Sequence, residues 1–149
     1  MKTTSDQPAI RRAKMQDAEA LKDCIDRAYA PVKTRLHDLP DVSAGIDDDI
    51  AGKIVLAAEI LGSIAGVAIL GIENKSAHLA NIAVDPVHKG KGVGKALIVA
   101  VENIAKQQGA TELRLATHIG MPENVSLYSH LGWSETSRTE SKVLMSKAI

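Results

Sequence analysis

The sequence has few aromatic residues and almost no cysteine. Its 149 residues include no Phe, one Trp and two Tyr, whereas hydrophobic residues make up 45% of the chain. The core must therefore be mainly aliphatic, and each aromatic residue is a candidate for a special role. The single cysteine, Cys24, excludes an internal disulfide and a cysteine-ligated metal site. We expect Cys24 to be a small buried side chain in a reducing, cytoplasmic environment.

Net charge and long apolar runs are also missing. The chain has 18 Lys and Arg against 18 Asp and Glu, a formal net charge of zero at pH 7. Neutrality argues against nonspecific binding to nucleic acid or to an anionic membrane surface. No apolar run is as long as the stretch of about 18 residues that a membrane-spanning helix needs. Residues 1–8 have no apolar signal core, so we predict a flexible end, and the length favours one domain over residues 1–149.

Apolar patterns in the first half of the chain predict helices followed by strands. Residues 9–13 are expected to form a strand, followed by a helix that Asp17 caps and that Pro31 breaks or kinks. Residues 32–51 are expected to form a weaker, acidic helical region. Three apolar runs separated by short polar turns predict an antiparallel meander at residues 54–60, 64–72 and 76–84.

The second half of the chain adds a parallel step to this sheet. A long helix over residues 92–108 lies between the meander and a strand over residues 112–117. A strand–helix–strand unit of this size forms a right-handed crossover between parallel strands. A short helix beginning at Pro122 and strands at residues 134–137 and 142–145 follow. We therefore predict an α/β (α+β) fold with a mixed, mostly antiparallel central sheet flanked by helices.

A loop rich in glycine and lysine connects the meander to the long helix. Its glycines lack Cβ atoms, so consecutive backbone N–H groups can approach a ligand. The helix that follows adds unpaired first-turn N–H groups and the positive end of its dipole. Together with the lysines, these groups predict a phosphate or pyrophosphate site. The predicted contacts are Lys89, Gly90, Lys91, Gly92, Val93, Gly94 and Lys95.

Two common nucleotide motifs do not fit this loop. A mononucleotide P-loop, G-x-x-x-x-G-K-[ST], needs a hydroxyl where Ala96 stands and a glycine where Lys89 stands. A dinucleotide loop, G-x-G-x-x-G, needs its third glycine where Lys95 stands. The pattern that fits is basic-x-x-G-x-G after a strand. It resembles the coenzyme A pyrophosphate loop of the GNAT N-acetyltransferase superfamily, although Lys89 replaces the usual Gln or Arg.

A second segment carries the same resemblance. The family pattern E-N-x-x-x-Y-x-x-x-G-aromatic is matched by Glu123, Asn124, Tyr128, Gly132 and Trp133. Asn124 and Tyr128 are four residues apart and share a helix face. The resemblance implies a β-loop-α-β coenzyme A-binding core in which Asn124 contacts the cofactor and Tyr128 is the general acid beside its sulfur.

The strand before the loop has an implied role too. In the family, the pantetheine arm or thioester pairs with backbone groups of this strand, here Ile82, Ala83 and Val84, where it splays from its parallel neighbour. Asn81 is expected near the bulge that opens this gap and is a candidate substrate contact. Further substrate candidates are Tyr29, Arg35 and His37, because the segment after the first helix commonly lines the acceptor pocket in the family.

The identity of the general base stays open. An amine acceptor must lose a proton before or during attack, and candidate bases are His78, His118 and Glu59, with water as an alternative. The histidines show no H-x-H or H-E-x-x-H spacing, so we predict no metal. An acidic segment favours a cationic acceptor, and its carboxylates belong to Asp38, Asp41, Asp47, Asp48 and Asp49.

The resemblance therefore implies an N-acyltransferase that moves an acetyl group from acetyl-coenzyme A to an amine of a small molecule or peptide by direct attack. The alternative is a non-catalytic acyl-coenzyme A-binding module with a sensory or regulatory role. Many members of the family pair as dimers, and the edges of a mixed sheet make a homodimer an expectation here.

Overall fold

The computed structural model describes residues 7–34, 36 and 43–149. The predicted substrate contacts Arg35 and His37 lie outside the described residues, as do Asp38, Asp41 and most of the predicted flexible end. In the described part of the chain, no helix is long and apolar enough to span a membrane.

The described residues form a seven-stranded sheet in the order β1-β2-β3-β4-β5-β7-β6. The strands are β1 Ala9–Arg12, β2 Ile54–Ile60, β3 Ser63–Glu73, β4 Ser76–Val84, β5 Glu112–His118, β6 Ser134–Arg138 and β7 Lys142–Ala148. The helices are α1 Ala18–Lys33, α2 Ile46–Gly52, α3 Val93–Gln107 and α4 Pro122–His130, with 3₁₀ turns at Met15–Asp17 and Pro86–His88. Neighbouring strands are antiparallel except β4 and β5, which are parallel. The predicted mixed, mostly antiparallel sheet is confirmed.

Aliphatic side chains fill the space on both faces of the sheet. On one face, Leu97 and Ile98 of α3 pack among buried strand residues such as Leu70 and Leu113. On the other face, Leu21 and Ile25 of α1 pack against buried valine, isoleucine and alanine side chains of the strands. Cys24 of α1 is buried, as predicted. Tyr128 and Trp133 join the α3 face, so the scarce aromatic residues are concentrated near α4.

Helix α1 does not break at Pro31, so of the predicted break or kink the break is wrong. The helix continues to Lys33 with Pro31 in its last turns. Proline lacks the backbone N–H that would bond the Arg27 carbonyl oxygen, but the residues on either side of it stay helical. The Thr34 hydroxyl then donates to the Pro31 carbonyl oxygen at 2.7 Å.

Asp17 does not cap α1 with its side chain, which corrects a second prediction. Its carboxylate instead accepts hydrogen bonds from two guanidinium nitrogens of Arg11, at 2.8 and 2.9 Å, and from the Lys14 backbone N–H at 2.7 Å. These bonds, led by the one from Arg11, lower the pKa of Asp17 to about 2. A bidentate guanidinium is a stronger partner than the helix N–H groups.

A bulge and an early separation of two strands shape the middle of the sheet. Leu79 and Asn81 of β4 pair with successive residues of β3, so Ala80 is an extra residue without a partner. Strands β4 and β5 pair through only three residues each, Ser76–His78 and residues 112–114. A bulge increases local twist and bends its strand. The backbone edge of β4 beyond His78 is therefore not paired to β5.

Candidate active site

A groove of about 540 Å³ opens where β4 and β5 separate. Its floor is the edge of β4, and helices α1 and α4 form its walls. The loop before α3 closes one end. The lining residues are Ala28, Tyr29, Pro31, Val32, Ile82, Ala83, Val84, Pro86, Lys89, Gly94, Met121, Glu123, Asn124, Leu127 and Tyr128.

The loop before α3 presents its backbone N–H groups. Gly90 and Gly92 adopt left-handed φ angles of 84° and 79°, which other residues rarely adopt. In the described part of the chain, the N–H groups of Gly90 and of residues 92–95 have no hydrogen-bond acceptor. Five unpaired donors near the start of a helix are the kind of arrangement that can bind an anion without help from side chains.

The predicted loop contacts do not all reach the groove. Lys89 and Gly94 line it, whereas Gly90, Lys91, Gly92, Val93 and Lys95 do not. The Lys91 ammonium lies 3.3 Å from Nδ1 of His88. The Val93 side chain is only 1% exposed and belongs to the core. Val93 can therefore offer a ligand its backbone N–H alone.

A glycine of β3 lets α3 approach the sheet beneath this loop. A Cβ on Gly66 would lie 2.7 Å from Cγ1 of Val93 and 3.0 Å from the Ala83 carbonyl oxygen. Close packing occurs at Gly66, while a Cβ on Gly71 would meet nothing within 4 Å.

Tyr128 lies in the wall formed by α4. It is 4% exposed, and its ring packs against Trp133 with centroids 5.7 Å apart and an interplanar angle of 58°. Its hydroxyl has no hydrogen-bond partner in the described residues, although it lines the groove. Burial, with a smaller contribution from Tyr29, raises the pKa of Tyr128 well above its ordinary value. The hydroxyl therefore stays protonated at neutral pH, as a hydrogen-bond donor must.

Tyr29 and Asn81 form a polar pair between α1 and β4. The Tyr29 hydroxyl donates to Oδ1 of Asn81 at 2.9 Å, and burial raises the pKa of Tyr29. Nδ2 of Asn81 is buried without a partner in the described residues. Tyr29 lines the groove, whereas Asn81 lies behind it. Of the two predicted substrate contacts that the structure describes, Tyr29 alone faces the groove.

Asn124 ties α4 to β5. Its Nδ2 donates to the Thr117 hydroxyl at 3.2 Å and lies 3.8 Å from the Met121 sulfur. Its Oδ1 has no donor among the described residues, and Asn124 lines the groove. The side chain is therefore fixed with an acceptor available to a ligand.

The three predicted bases do not line the groove. Glu59 accepts from Arg11 at 2.7 Å and lines a separate polar cavity of about 390 Å³. Nδ1 of His118 accepts the N–H of Gly120 at 2.9 Å. Burial, with smaller effects of Lys53 and Lys142, lowers the pKa of His78. Their catalytic role stays a prediction.

Within the described ranges, no group of three or more His, Cys, Asp or Glu could hold a metal ion.

Sequence reasoning missed one polar contact next to the groove. The carboxylate of Asp85, the residue between β4 and the loop, accepts from Nε of Arg27 on α1 at 2.7 Å. The two residues are 58 positions apart, so no local pattern could have paired them. The one available signal was an aspartate directly before Pro86 at the end of an apolar strand.

Comparison with known proteins agrees with this fold. The model of the acetyltransferase (GNAT) family matches residues 19–133, which is most of the chain. The chain therefore belongs to the acetyltransferase (GNAT) family.

Curated relatives share part of this region. The chain is 31% identical over 70 residues to N-acetyltransferase 8 of Rattus norvegicus. This match covers 47% of the chain and 32% of that protein. It is 32% identical over 68 residues to N-acetyltransferase 8B of Homo sapiens, covering 46% and 30% respectively. The matched part thus spans about a third of the length of these curated relatives.

Solved structures share the whole fold at low identity. PaiA N-acetyltransferase from Thermoplasma acidophilum, crystallised with coenzyme A, superposes with a TM-score of 0.87 at 21% identity, covering 96% of this chain and 99% of that one. The ribosomal-protein-S18-alanine N-acetyltransferase from Escherichia coli gives 0.80 at 22% identity, covering 96% and 94%. Likeness at such identity concerns the fold alone.

Proposed function

We propose that this protein transfers an acetyl group from acetyl-coenzyme A to an amine by direct attack. The observation that carries the proposal is the open edge of β4, which runs along the groove toward a loop of unpaired N–H groups. Family membership supports it. So does the likeness of fold to PaiA, solved with coenzyme A, and to YncA from Salmonella typhimurium, solved with acetyl-coenzyme A.

The donor would lie along the groove in an extended form. Loop N–H groups and the Lys89 ammonium would bind the pyrophosphate, with lysine as a point charge; Lys89 and Gly94 line the groove at this end. The pantetheine arm contains amides, which can pair with the backbone edge of Ile82, Ala83 and Val84 as an added strand would. Oδ1 of Asn124 offers a further acceptor for an amide N–H.

The residues around the thioester support the transfer step. Backbone N–H groups of β4 can stabilise the negative charge that develops on the carbonyl oxygen. The amine nitrogen forms the new bond to carbonyl carbon, the carbon–sulfur bond breaks with its electron pair on sulfur, and the Tyr128 hydroxyl is the proposed donor to that sulfur. A thiol has a pKa near about 8.5, so complete proton transfer from a tyrosine of higher pKa is uphill. A hydrogen bond that strengthens as the thiolate forms is the better description.

The acceptor would enter from the α1 side of the groove. Ala28, Pro31 and Val32 make this wall largely apolar, and the Tyr29 hydroxyl is its polar group. A cationic acceptor remains a prediction. What supports it is the exposed negative charge of Asp47 and Asp48 at the start of α2. The proton of the attacking amine needs a base, and water in the groove is the route we favour because the three predicted bases lie elsewhere.

Two measurements test this function. Calorimetry with coenzyme A should show one binding site per chain; absence of binding would remove the proposal. A thiol-release assay with acetyl-coenzyme A should then detect turnover with some members of a panel of amines, polyamines, amino acids and peptide N-termini. Binding without turnover on every acceptor would favour the non-catalytic module, and preference for anionic acceptors would overturn the cationic prediction.

Two further expectations accompany the function. A homodimer is one, because β1 and β6 are edge strands of the sheet. Sedimentation of the purified protein decides between one copy and two. A cytoplasmic location is the other, and fractionation of cells producing the protein tests it.

A further inference from the structure

Asp85 stands at the junction between β4 and the loop, and it is 5% exposed. Its backbone N–H donates to the Ala65 carbonyl at 2.8 Å, and its own carbonyl accepts from His88 at 2.9 Å. Oδ1 of its side chain accepts the N–H of Val87 at 3.1 Å. These bonds make Asp85 the residue from which the first turn of the loop is built.

The second oxygen of this buried carboxylate is held by helix α1. Oδ2 accepts from Nε of Arg27 at 2.7 Å. Hydrogen bonding to Asp85 is the main cause that raises the pKa of Arg27, so the guanidinium stays charged. A carboxylate removed from water needs such a partner, since an unpaired buried charge is strongly unfavourable. Arg27 therefore balances the charge of the group on which the loop begins.

Arg27 is not itself a groove residue. Its side chain is 51% exposed, and it lines the separate polar cavity on the α1 side of the sheet. The neighbouring Tyr29 forms the other polar bond from α1 to β4, through Asn81. The two bonds reach positions four residues apart, Asn81 beside the bulge and Asp85 directly after β4. They hold α1 against the strand that forms the floor of the groove.

We propose that Arg27 is a positioning residue for the donor: through Asp85, it holds the pyrophosphate loop in the conformation that binds coenzyme A. This inference rests on the proposed function. Without Arg27, the Asp85 carboxylate is more stable when it rotates toward water. This rotation breaks the hydrogen bond from the Val87 N–H to Oδ1, so the first turn of the loop changes its conformation. The unpaired N–H groups of Gly90 and residues 92–95 would then be displaced from the positions that bind the donor.

The first experiment compares two arginine variants by calorimetry with coenzyme A. Arg27→Gln should weaken coenzyme A binding about tenfold, or by about 1.4 kcal/mol, which is the loss expected when one or two hydrogen bonds from the pyrophosphate loop are misaligned. Arg138→Gln is the matched control, because Arg138 pairs with Glu135 at 2.6 Å on the edge strand β6, away from the groove. It should leave the dissociation constant within about twofold. Arg27→Lys, which keeps the charge, should restore most of the affinity.

A general loss of stability would look different. It would lower the binding stoichiometry, because part of the protein would be unfolded, while the remaining molecules would bind with unchanged affinity. With an acceptor in hand, Arg27→Gln should raise KM for acetyl-coenzyme A about tenfold and leave kcat within about threefold. A fall in kcat with unchanged KM would overturn the positioning role.

A double-mutant cycle tests whether Arg27 acts through Asp85. Asp85→Asn keeps the acceptor oxygen for Val87 but removes the charge that Arg27 balances. In that background, Arg27→Gln should change the affinity less than about twofold. An undiminished tenfold effect would overturn the route through Asp85. If the unmodified protein does not bind coenzyme A, the proposed function fails; if it binds but Arg27→Gln matches Arg138→Gln, this inference alone fails.

Discussion

The two sides of the groove offer different chemical groups to a ligand. The loop side consists of β4 residues 82–84, whose backbone edge is not paired to β5, together with Lys89 and Gly94 of the loop. The α1 side consists of Ala28, Tyr29, Pro31 and Val32, and offers side chains on a helix held by two polar bonds. Backbone groups bind a shape and a charge that every donor molecule shares. Side chains can change from one protein to another, so the α1 side is where we expect acceptor choice to be made.

Tyr128→Phe should give the largest effect. Removing a hydrogen-bond donor to a developing anion typically lowers kcat by about 10²–10³. The affinity for coenzyme A should change little, because Tyr128 makes no bond that holds the loop. Steady-state kinetics and calorimetry on the same preparation measure both quantities.

Tyr29→Phe is the matched variant across the groove. It removes the bond to Asn81 and should raise KM for the acceptor several-fold, about 0.5–1.5 kcal/mol of hydrogen-bond free energy, with a smaller effect on kcat. A larger loss of kcat in Tyr29→Phe than in Tyr128→Phe would exchange the roles assigned to the two hydroxyls.

Gly92→Asp should weaken coenzyme A binding about 100-fold, because it adds a negative charge beside the pyrophosphate and strains a left-handed position. Gly109→Asp is the control at the other end of α3, where φ is also left-handed, at 88°. Thermal unfolding should show similar destabilisation of both proteins. Calorimetry should show weakened binding in Gly92→Asp alone, and equal weakening would mean that the loop is not the binding site.

Gly66→Ala tests how α3 is placed under the loop. The added Cβ meets Val93 at 2.7 Å, so we expect a loss of about 1–3 kcal/mol and a fall in Tm of roughly 3–10 °C. Gly71→Ala in the same strand has free space and should unfold close to the unmodified protein. Equal Tm values for the two variants would show that α3 adjusts without cost.

The smallest expected effect concerns pH and the α1 side. Burial raises the pKa of the Cys24 thiol to about 11. A raised folded-state pKa favours the neutral thiol, so its contribution to stability is complete below the ordinary value near 9 and is lost as pH rises through about 11. The Tm of the unmodified protein should fall between these pH values more steeply than that of Cys24→Ala. Parallel curves would show that other groups control alkaline stability.

The loop and the helix that follows it could be predicted from the sequence because each motif that indicates them lies in a short segment. The glycines around Lys91, the helix that follows them and the spacing of Asn124 and Tyr128 are each contained in a short segment. A ligand bound by consecutive N–H groups needs consecutive residues. The strands and α3 were placed to within a few residues for a similar reason, since hydrophobic periodicity reflects which face of an element is buried.

The contacts on the α1 side could not be predicted from the sequence in the same way. Arg27 and Asp85, and Tyr29 and Asn81, are joined only when α1 crosses the sheet, over separations of 58 and 52 residues. The predicted break at Pro31 did not occur, because a proline removes one backbone hydrogen bond without necessarily ending the helix, and sequence alone did not place the helix end. Glu59 looked available as a base until Arg11, from another strand, was found beside it.

The bulge at Ala80 has a consequence for how such a groove can arise. Removing this residue would leave Asn81 facing α1 and Ile82 facing α3, as they do now, but in a regular strand. We expect that strand to follow β5 further, so the gap between them would narrow. A continuous sheet and a sheet with a slot for an acyl donor thus differ here by a single codon, and gain or loss of one residue is a short evolutionary route between a structural strand and a binding one.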